Sequence, residues 1–176
     1  MKKILAISGS LRKDSFNTKL VEAIKIAAQG KAEVTTTRID NLPLFNQDLE
    51  ASFPAEAQAL KDIILAADAI VIATPEYNRS IPGVLKNAID WASRPYGQNA
   101  FAGKPLLVLG ATGGNVGTAL AQSHLKEIML YLDTKIVGQP ELYISGVQNK
   151  IDKETGALDE DTMNHLKIGI DKLLSI

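Results

Sequence analysis

Short, nearly unbroken apolar runs alternate along this chain with longer stretches in which apolar positions recur every three or four residues. The first pattern belongs to strands buried on both faces and the second to amphipathic helices. Their alternation predicts a parallel sheet covered on both sides by helices. Ile4 to Ser8 is expected as the first strand, followed by a helix over Asn17 to Ala28 whose Leu20, Val21 and Ile24 share a face and which Gly30 ends. Val34 to Ile39 reads as the second strand. Residues 41–46 form a loop, and Pro54 opens a helix marked by Ala57, Leu60, Ile63 and Ile64. Ala69 to Thr74, almost wholly apolar, is the third strand and belongs at the centre of the sheet. Pro82 suits the start of a helix buried along Val84, Leu85, Ala88, Ile89 and Ala92. Pro105 to Gly110 is the fourth strand, Thr118 to Leu132 a helix, and Lys135 to Ile144 the last strand. A terminal helix starting near Asp159 presents Met163, Leu166, Ile170 and Leu173 inward.

This order describes an α/β domain over residues 1–176, doubly wound in three layers, with a five-stranded parallel sheet of order 2-1-3-4-5. Ligands of such sheets bind beyond the carboxyl ends of the strands, in the crevice where the winding reverses, here between the first and third strands. Three polar or glycine-rich segments fall on that edge: residues 8–18, 74–82 and 110–117.

The first of them, from Ser8 to Thr18, is built to hold an anion. A helix start is electropositive, because its first N–H groups lack partners and the peptide dipoles align behind them. Arg12 adds a charge-assisted donor, and Ser10, Ser15, Asn17 and Thr18 add neutral ones. The plainer reading is that Ser15 or Asn17 caps the helix. The loop matches neither the Gly-x-Gly-x-x-Gly nor the Gly-Lys-Ser/Thr pattern, so neither a standard dinucleotide fingerprint nor an ATP loop is indicated. In the second segment Tyr77 offers an aromatic wall and Asn78 an amide to a flat heteroaromatic ligand. Its plainer reading is a loop whose path is set by Pro75 and Pro82. In the third, Gly113 and Gly114 permit close backbone approach.

Composition narrows the partners. A formal net charge of -1 provides no field to draw nucleic acid or an anionic membrane surface. No apolar stretch is long enough for stable membrane insertion, and the absence of cysteine removes disulfides and thiolate chemistry and suits the cytoplasm. His124 and His165 lie far apart without carboxylates at metal-ligand spacing, so no metal site is expected. Glu76 reads as a solvated or backbone-bonded carboxylate, and Asp90 and Trp91 as buried or interfacial.

Gly9-Ser10-Leu11-Arg12 through Ser15 and Asn17, then Pro75-Glu76-Tyr77-Asn78, Ser80, Pro82-Gly83 and Leu85 to Trp91, resemble the NAD(P)H-dependent FMN reductases, close to their quinone and chromate reductase group. The resemblance continues through Gly103-Lys104-Pro105, the His124-Leu125 region and Lys135 to Asp152. It implies a flavodoxin-like fold, bound FMN, NADPH or NADH as electron donor, and a small-molecule acceptor such as a quinone, flavin, azo compound or metal oxyanion. It also implies a homodimer or homotetramer. Ser10, Arg12, Ser15, the Phe16 backbone and Asn17 would hold the FMN phosphate; Pro75, Glu76, Tyr77 and Asn78 would border the isoalloxazine ring; Thr112 and Gly113 would approach its other edge. Arg79 departs from the family pattern, which has an aromatic residue there, and this bears on acceptor choice and subunit contacts. Such chemistry resides in the cofactor and needs no protein nucleophile, so no catalytic residue is assigned. The alternative is a flavodoxin-type electron carrier, against which the near-neutral charge argues, since it offers little steering toward a protein partner.

Overall fold

Residues Ile4–Ile7 are buried on both faces because the first strand, β1 (Lys2–Ser8), has a strand on each edge and helices above and below. The computed structural model describes residues 1–176. In chain order the elements are β1, α1 (Phe16–Ala27), β2 (Ala32–Thr37), α2 (Ala55–Ala66), β3 (Ala69–Ala73), α3 (Gly83–Ala92), β4 (Pro105–Ala111), α4 (Ala119–Tyr131), β5 (Lys135–Ile136), β6 (Leu142–Ile144) and α5 (Glu160–Leu174). All strand pairs are parallel and the sheet runs β2-β1-β3-β4-β5, the order expected from the sequence. Because side chains alternate along a strand, each strand feeds two cores. Ile4 and Ala6 pack with Leu20, Ile24, Leu166 and Ile170 under α1 and α5, whereas Leu5 and Ile7 pack with Leu60, Ile64, Leu85 and Leu125 under α2, α3 and α4.

The last strand differs from its expected form. Lys135 to Ile144 divides into β5, paired with Pro105 and Leu106, and β6, paired with Leu109, Gly110 and Ala111. Ile136 pairs with Leu106 and Leu142 with Leu109, so residues 137–141 stand opposite only residues 107 and 108 of β4; the surplus loops out of the ladder, and Pro140, with no N–H to donate, sits in that loop. Helix α1 begins at Phe16, one residue before the expected Asn17, with Ser15 as its N-cap. The Ser15 hydroxyl accepts from the Asn17 and Thr18 amides at 3.1 and 3.4 Å, an arrangement that stabilises a helix by about 1 kcal/mol. Asp159 caps α5 by accepting from the Thr162 amide at 2.8 Å, and hydrogen bonding from the Thr162 side chain, with the amide adding less, holds its carboxyl below the ordinary range. No helix is long and apolar enough to cross a membrane.

The long segment between β2 and α2 is tied to α3. The Asn87 side chain donates to the Pro43 carbonyl at 2.9 Å and accepts from the Phe45 amide at 2.7 Å, while Trp91 Nε1 donates to the same carbonyl at 2.8 Å. Trp91 is fully buried, with the rings of Phe45 and Phe53 set edge-on against it. Nearby, the buried Lys61 ammonium donates to the Arg94 and Gln98 carbonyls, and burial lowers its pKa. Arg94 in turn pairs with Glu50 at 2.6 Å.

At the carboxyl end of β4, Gly110 has no room for a side chain. A Cβ there would fall inside the contact distance of both the Thr118 hydroxyl and the Thr74 carbonyl oxygen. Thr118 is itself buried in a left-handed conformation (φ 65°) and held by Gln122 Nε2 at 3.0 Å, so it has nowhere to move. Gly110→Ala should therefore lower stability by roughly 3 kcal/mol, measured as the urea midpoint at constant slope. Adding Thr118→Ala, which removes the hydroxyl, should not rescue it, because the Thr74 carbonyl remains in place. Full rescue would show that the hydroxyl region alone sets the constraint.

Candidate active site

Parallel strands deliver the ends of β1, β3 and β4 to one edge, and the three loops that follow them enclose a cleft of about 320 Å³. Its lining is Ser10, Arg12, Ser15, Phe16, Asn17, Pro75, Glu76, Tyr77, Ala111, Thr112 and Gly113. The structure thus brings together every residue proposed for the site except Asn78, and adds Ala111. Asn78 is committed to a turn. Tyr77 and Ser80 exchange both backbone hydrogen bonds at 3.0 Å, and the two residues between them, Asn78 (φ 51°) and Arg79 (φ 64°), are both left-handed, the pattern of a two-residue type I′ hairpin.

The first loop combines a cap with unused donors. Ser15 satisfies the Asn17 and Thr18 amides, whereas the backbone N–H groups of Leu11, Lys13, Asp14 and Phe16 have no partner within the chain. Arg12 lies over the Phe16 ring at 5.2 Å from its centroid and forms no ion pair, so its guanidinium is free of any carboxylate. The capping reading of this loop is thus met by one serine, while the remaining N–H groups stay available to a ligand.

Asn17 plays a different part from the one its position suggests. Its buried side chain donates to the Ala111 carbonyl at 3.1 Å and accepts from the Ala111 amide at 3.0 Å. The side-chain amide is thereby consumed in joining the first loop to the end of β4, and the Asn17 backbone N–H is already taken by the Ser15 hydroxyl. Nothing local in the sequence marks this, because the partners are 94 residues apart.

Glu76 is equally diverted. One carboxylate oxygen accepts from the Leu120 and Ala121 amides, both at 3.1 Å, while the other lies 3.4 Å from the Arg79 guanidinium. Thr118 makes no side-chain cap at the start of α4, so Glu76 supplies from another loop the negative charge that helix N-termini favour. Ser80 is bonded to His124 Nδ1 at 3.1 Å, a second bolt between the same loop and α4. The third loop is anchored from beyond β6. The Thr112 amide donates to Ile144, the Val147 amide to Thr112, and Gln148 Nε2 reaches the Gly113 carbonyl at 3.4 Å. Gln148 and Ala111 are site-building residues that motif reading passes over. Across the cleft, the backbone N–H groups of Glu76 and Gly113 have no partner in the chain.

The geometry suits a ligand with an anionic tail and a flat polar-edged ring. A phosphate fits the Arg12 loop, and a heteroaromatic edge fits the unused amides of Glu76 and Gly113, with Tyr77 half exposed beside them. In doubly wound sheets of this strand order, FMN is bound at the switch point between the first and third strands, where this cleft lies. Residues 2–149 match the family described as NADPH-dependent FMN reductase, and the chain belongs to that family. It is 46% identical over 170 residues to a 2-hydroxy-1,4-benzoquinone reductase of a Burkholderia species, covering 97% of this chain and 93% of that one. It is 42% identical over 167 residues to a quinone reductase of Escherichia coli K12, covering 93% and 88% respectively. The solved structure of the NAD(P)H:(acceptor) oxidoreductase FerB from Paracoccus denitrificans superposes with a TM-score of 0.92 at 42% identity, over 99% of this chain and 96% of that one. The protein is thus an NAD(P)H-dependent oxidoreductase with FMN as its cofactor.

Replacing Asn17 tests the join between the loops. Asn17→Ala would leave two buried backbone groups of Ala111 unpaired and should cost about 2 to 4 kcal/mol in urea unfolding. Loss of that join should also weaken FMN binding. A stability within about 0.5 kcal/mol of the parent would show that the Ala111 bonds are replaced by water.

Proposed function

We propose that the protein moves two electrons as hydride from NADPH or NADH to a quinone, with FMN as the intermediate carrier and donor and acceptor using the same open side of the cleft in turn. The observation that supports this most is the convergence of a cationic anion loop and two facing, partnerless backbone donors in one cleft. FMN, when bound, supplies hydride acceptance and its return to an acceptor. Arg12 and the free N–H groups of the first loop hold the phosphate. The Glu76 and Gly113 amides orient the ring's polar edge, and Tyr77 closes one side against water. Glu76 acts as a positioning residue, since both its oxygens are engaged. A quinone acceptor follows from the names of the relatives in Burkholderia and Escherichia coli, and a planar quinone matches a surface shaped for stacking.

Anaerobic addition of NADPH to the yellow holoprotein should bleach it, and a quinone should restore the colour. Colour that persists would identify an electron carrier that does not oxidise nicotinamide. Initial rates over a grid of NADPH and quinone concentrations should give parallel double-reciprocal lines, because the donor leaves before the acceptor binds. Intersecting lines would require a second pocket.

Arg12→Ala should weaken FMN binding by roughly 10 to 100-fold, the equivalent of one charge-assisted bond of about 1.5 to 3 kcal/mol. Fluorescence titration of the apoprotein measures this. The unfolding midpoint of the apoprotein should stay put, since Arg12 has no ion-pair partner to lose. Unchanged affinity in the folded variant would remove Arg12 from the phosphate site.

A further inference from the structure

A second cleft, of about 390 Å³, lies on the far side of the first loop, between α1 and the carboxyl end of β2. Ser10 and Arg12 line both clefts, so a ligand with one end in each would cross that loop. The wall formed by the end of β2 carries Thr36 and Thr37, and the lip carries an exposed Leu11. Its cations are Arg12, Lys13 and Arg38, and its carboxylates are Glu22 and Asp40. Both carboxylates are already paired, Glu22 with Lys25 at 2.7 Å and Asp40 with Arg38, whose Nε donates at 2.9 Å. Arg12 and Lys13 have no carboxylate partner anywhere in the chain. With Arg12 given to the flavin phosphate on the other side of the loop, the cleft offers Lys13, next to Asp14 in the chain, the Asp40-paired Arg38, several hydroxyls and one apolar lip.

Position adds a second argument. In doubly wound dinucleotide-binding sheets, the residue beyond the end of the second strand reads the adenosine ribose, a carboxylate accepting from a free 2′-hydroxyl and an arginine accommodating a 2′-phosphate; this chain lacks their Gly-rich fingerprint and gives its first loop to FMN, so it shares with them only the place of that strand end beside the first loop. Here β2 ends at Thr37, Arg38 follows directly, and Asp40 stands two residues on. We propose that this cleft receives the adenosine end of the reduced dinucleotide, and that Arg38 with Lys13 reads the 2′-phosphate of NADPH. This rests on the hydride-transfer reading above and adds to it the part of the chain that distinguishes the two donors. The Arg38 side chain is 85% exposed, and exposed ion pairs are weak. Arg38 can therefore leave Asp40 for a phosphate at little cost. Asp40, once released, accepts from a ribose hydroxyl, so NADH is admitted as the poorer donor.

The test uses the FMN-loaded protein and the variant Lys13→Gln/Arg38→Gln, both positions being on the surface. Calorimetric titration with adenosine 2′,5′-bisphosphate should show binding that weakens by about tenfold in the variant, whereas adenosine 5′-monophosphate should be affected by less than about twofold. Asp40→Asn, which frees Arg38, should tighten the bisphosphate. In steady state the ratio of KM for NADPH to KM for NADH should rise by about tenfold in the double variant. An unchanged ratio together with unchanged bisphosphate binding would overturn the assignment. So would inorganic phosphate binding as tightly as the bisphosphate and losing the same factor in the variant, which would mark a simple anion site. If the parent protein oxidised neither dinucleotide, the hydride-transfer reading would fail, while the bisphosphate titration would still decide whether the cleft recognises a 2′-phosphate.

Discussion

The site depends on one clasp, the side-chain amide of Asn17 closed on both backbone groups of Ala111. A parallel sheet brings the ends of β1 and β4 to the same edge, yet β3 separates them and no ladder bond joins them directly. The clasp bridges that gap. It fixes the start of α1, and with it the first loop, relative to the loop that forms the opposite wall of the cleft. Burial makes it effective, because inside the protein an unpaired amide or carbonyl has no water to turn to. Gly110 and Thr118 set the neighbouring spacing by steric exclusion, so the end of β4 is held by both a hydrogen bond and a close contact.

The other loops are fastened by the same principle, with side chains answering backbone groups on distant segments. Glu76 covers the first amides of α4, His124 meets Ser80, and Gln148 reaches Gly113. These side chains are thereby withdrawn from chemistry, and what faces the cleft is largely backbone, together with Arg12. Such a surface binds and orients. That is what a family whose reactivity resides in FMN requires, and it explains why the cleft shows neither a base poised on a nucleophile nor an activated carboxylate. Loops fixed in this way also avoid the ordering cost that a mobile site would meet on binding.

The two clefts that share Ser10 and Arg12 give the first loop a central position on the molecular surface. On one side it meets the proposed flavin phosphate, and on the other the hydroxyls and cations beyond β2. Opposite signs are kept apart there by local pairing, Glu22 with Lys25 and Asp40 with Arg38, so that a chain of nearly zero net charge still offers a cationic loop. With Asp14 beside them, Arg12 and Lys13 leave this loop only one net positive charge, and it is their lack of carboxylate partners, which overall charge does not reveal, that sets the local field.

By itself, the sequence determined the layers, the strand order and the identity of the three site loops, because hydrophobic period and turn chemistry are local properties. Ile4–Ile7 and Ala69–Ala73 read as buried strands and are so in the fold, and the donors around Arg12 were legible as a group at the end of β1. Boundaries slipped where a single residue decided them, as at Phe16, and the last strand broke between Ile136 and Leu142, where more residues stand opposite β4 than its ladder can pair, a mismatch that only the pairing register reveals. Only the tertiary structure decided which polar side chains serve the ligand and which serve the scaffold. Asn17 and Asn78 read alike as amides available for binding, yet one is buried against Ala111 and the other sits in a left-handed turn. A hydrogen bond across 94 residues leaves no trace in local spacing, since its partners are chosen by where the sheet places them.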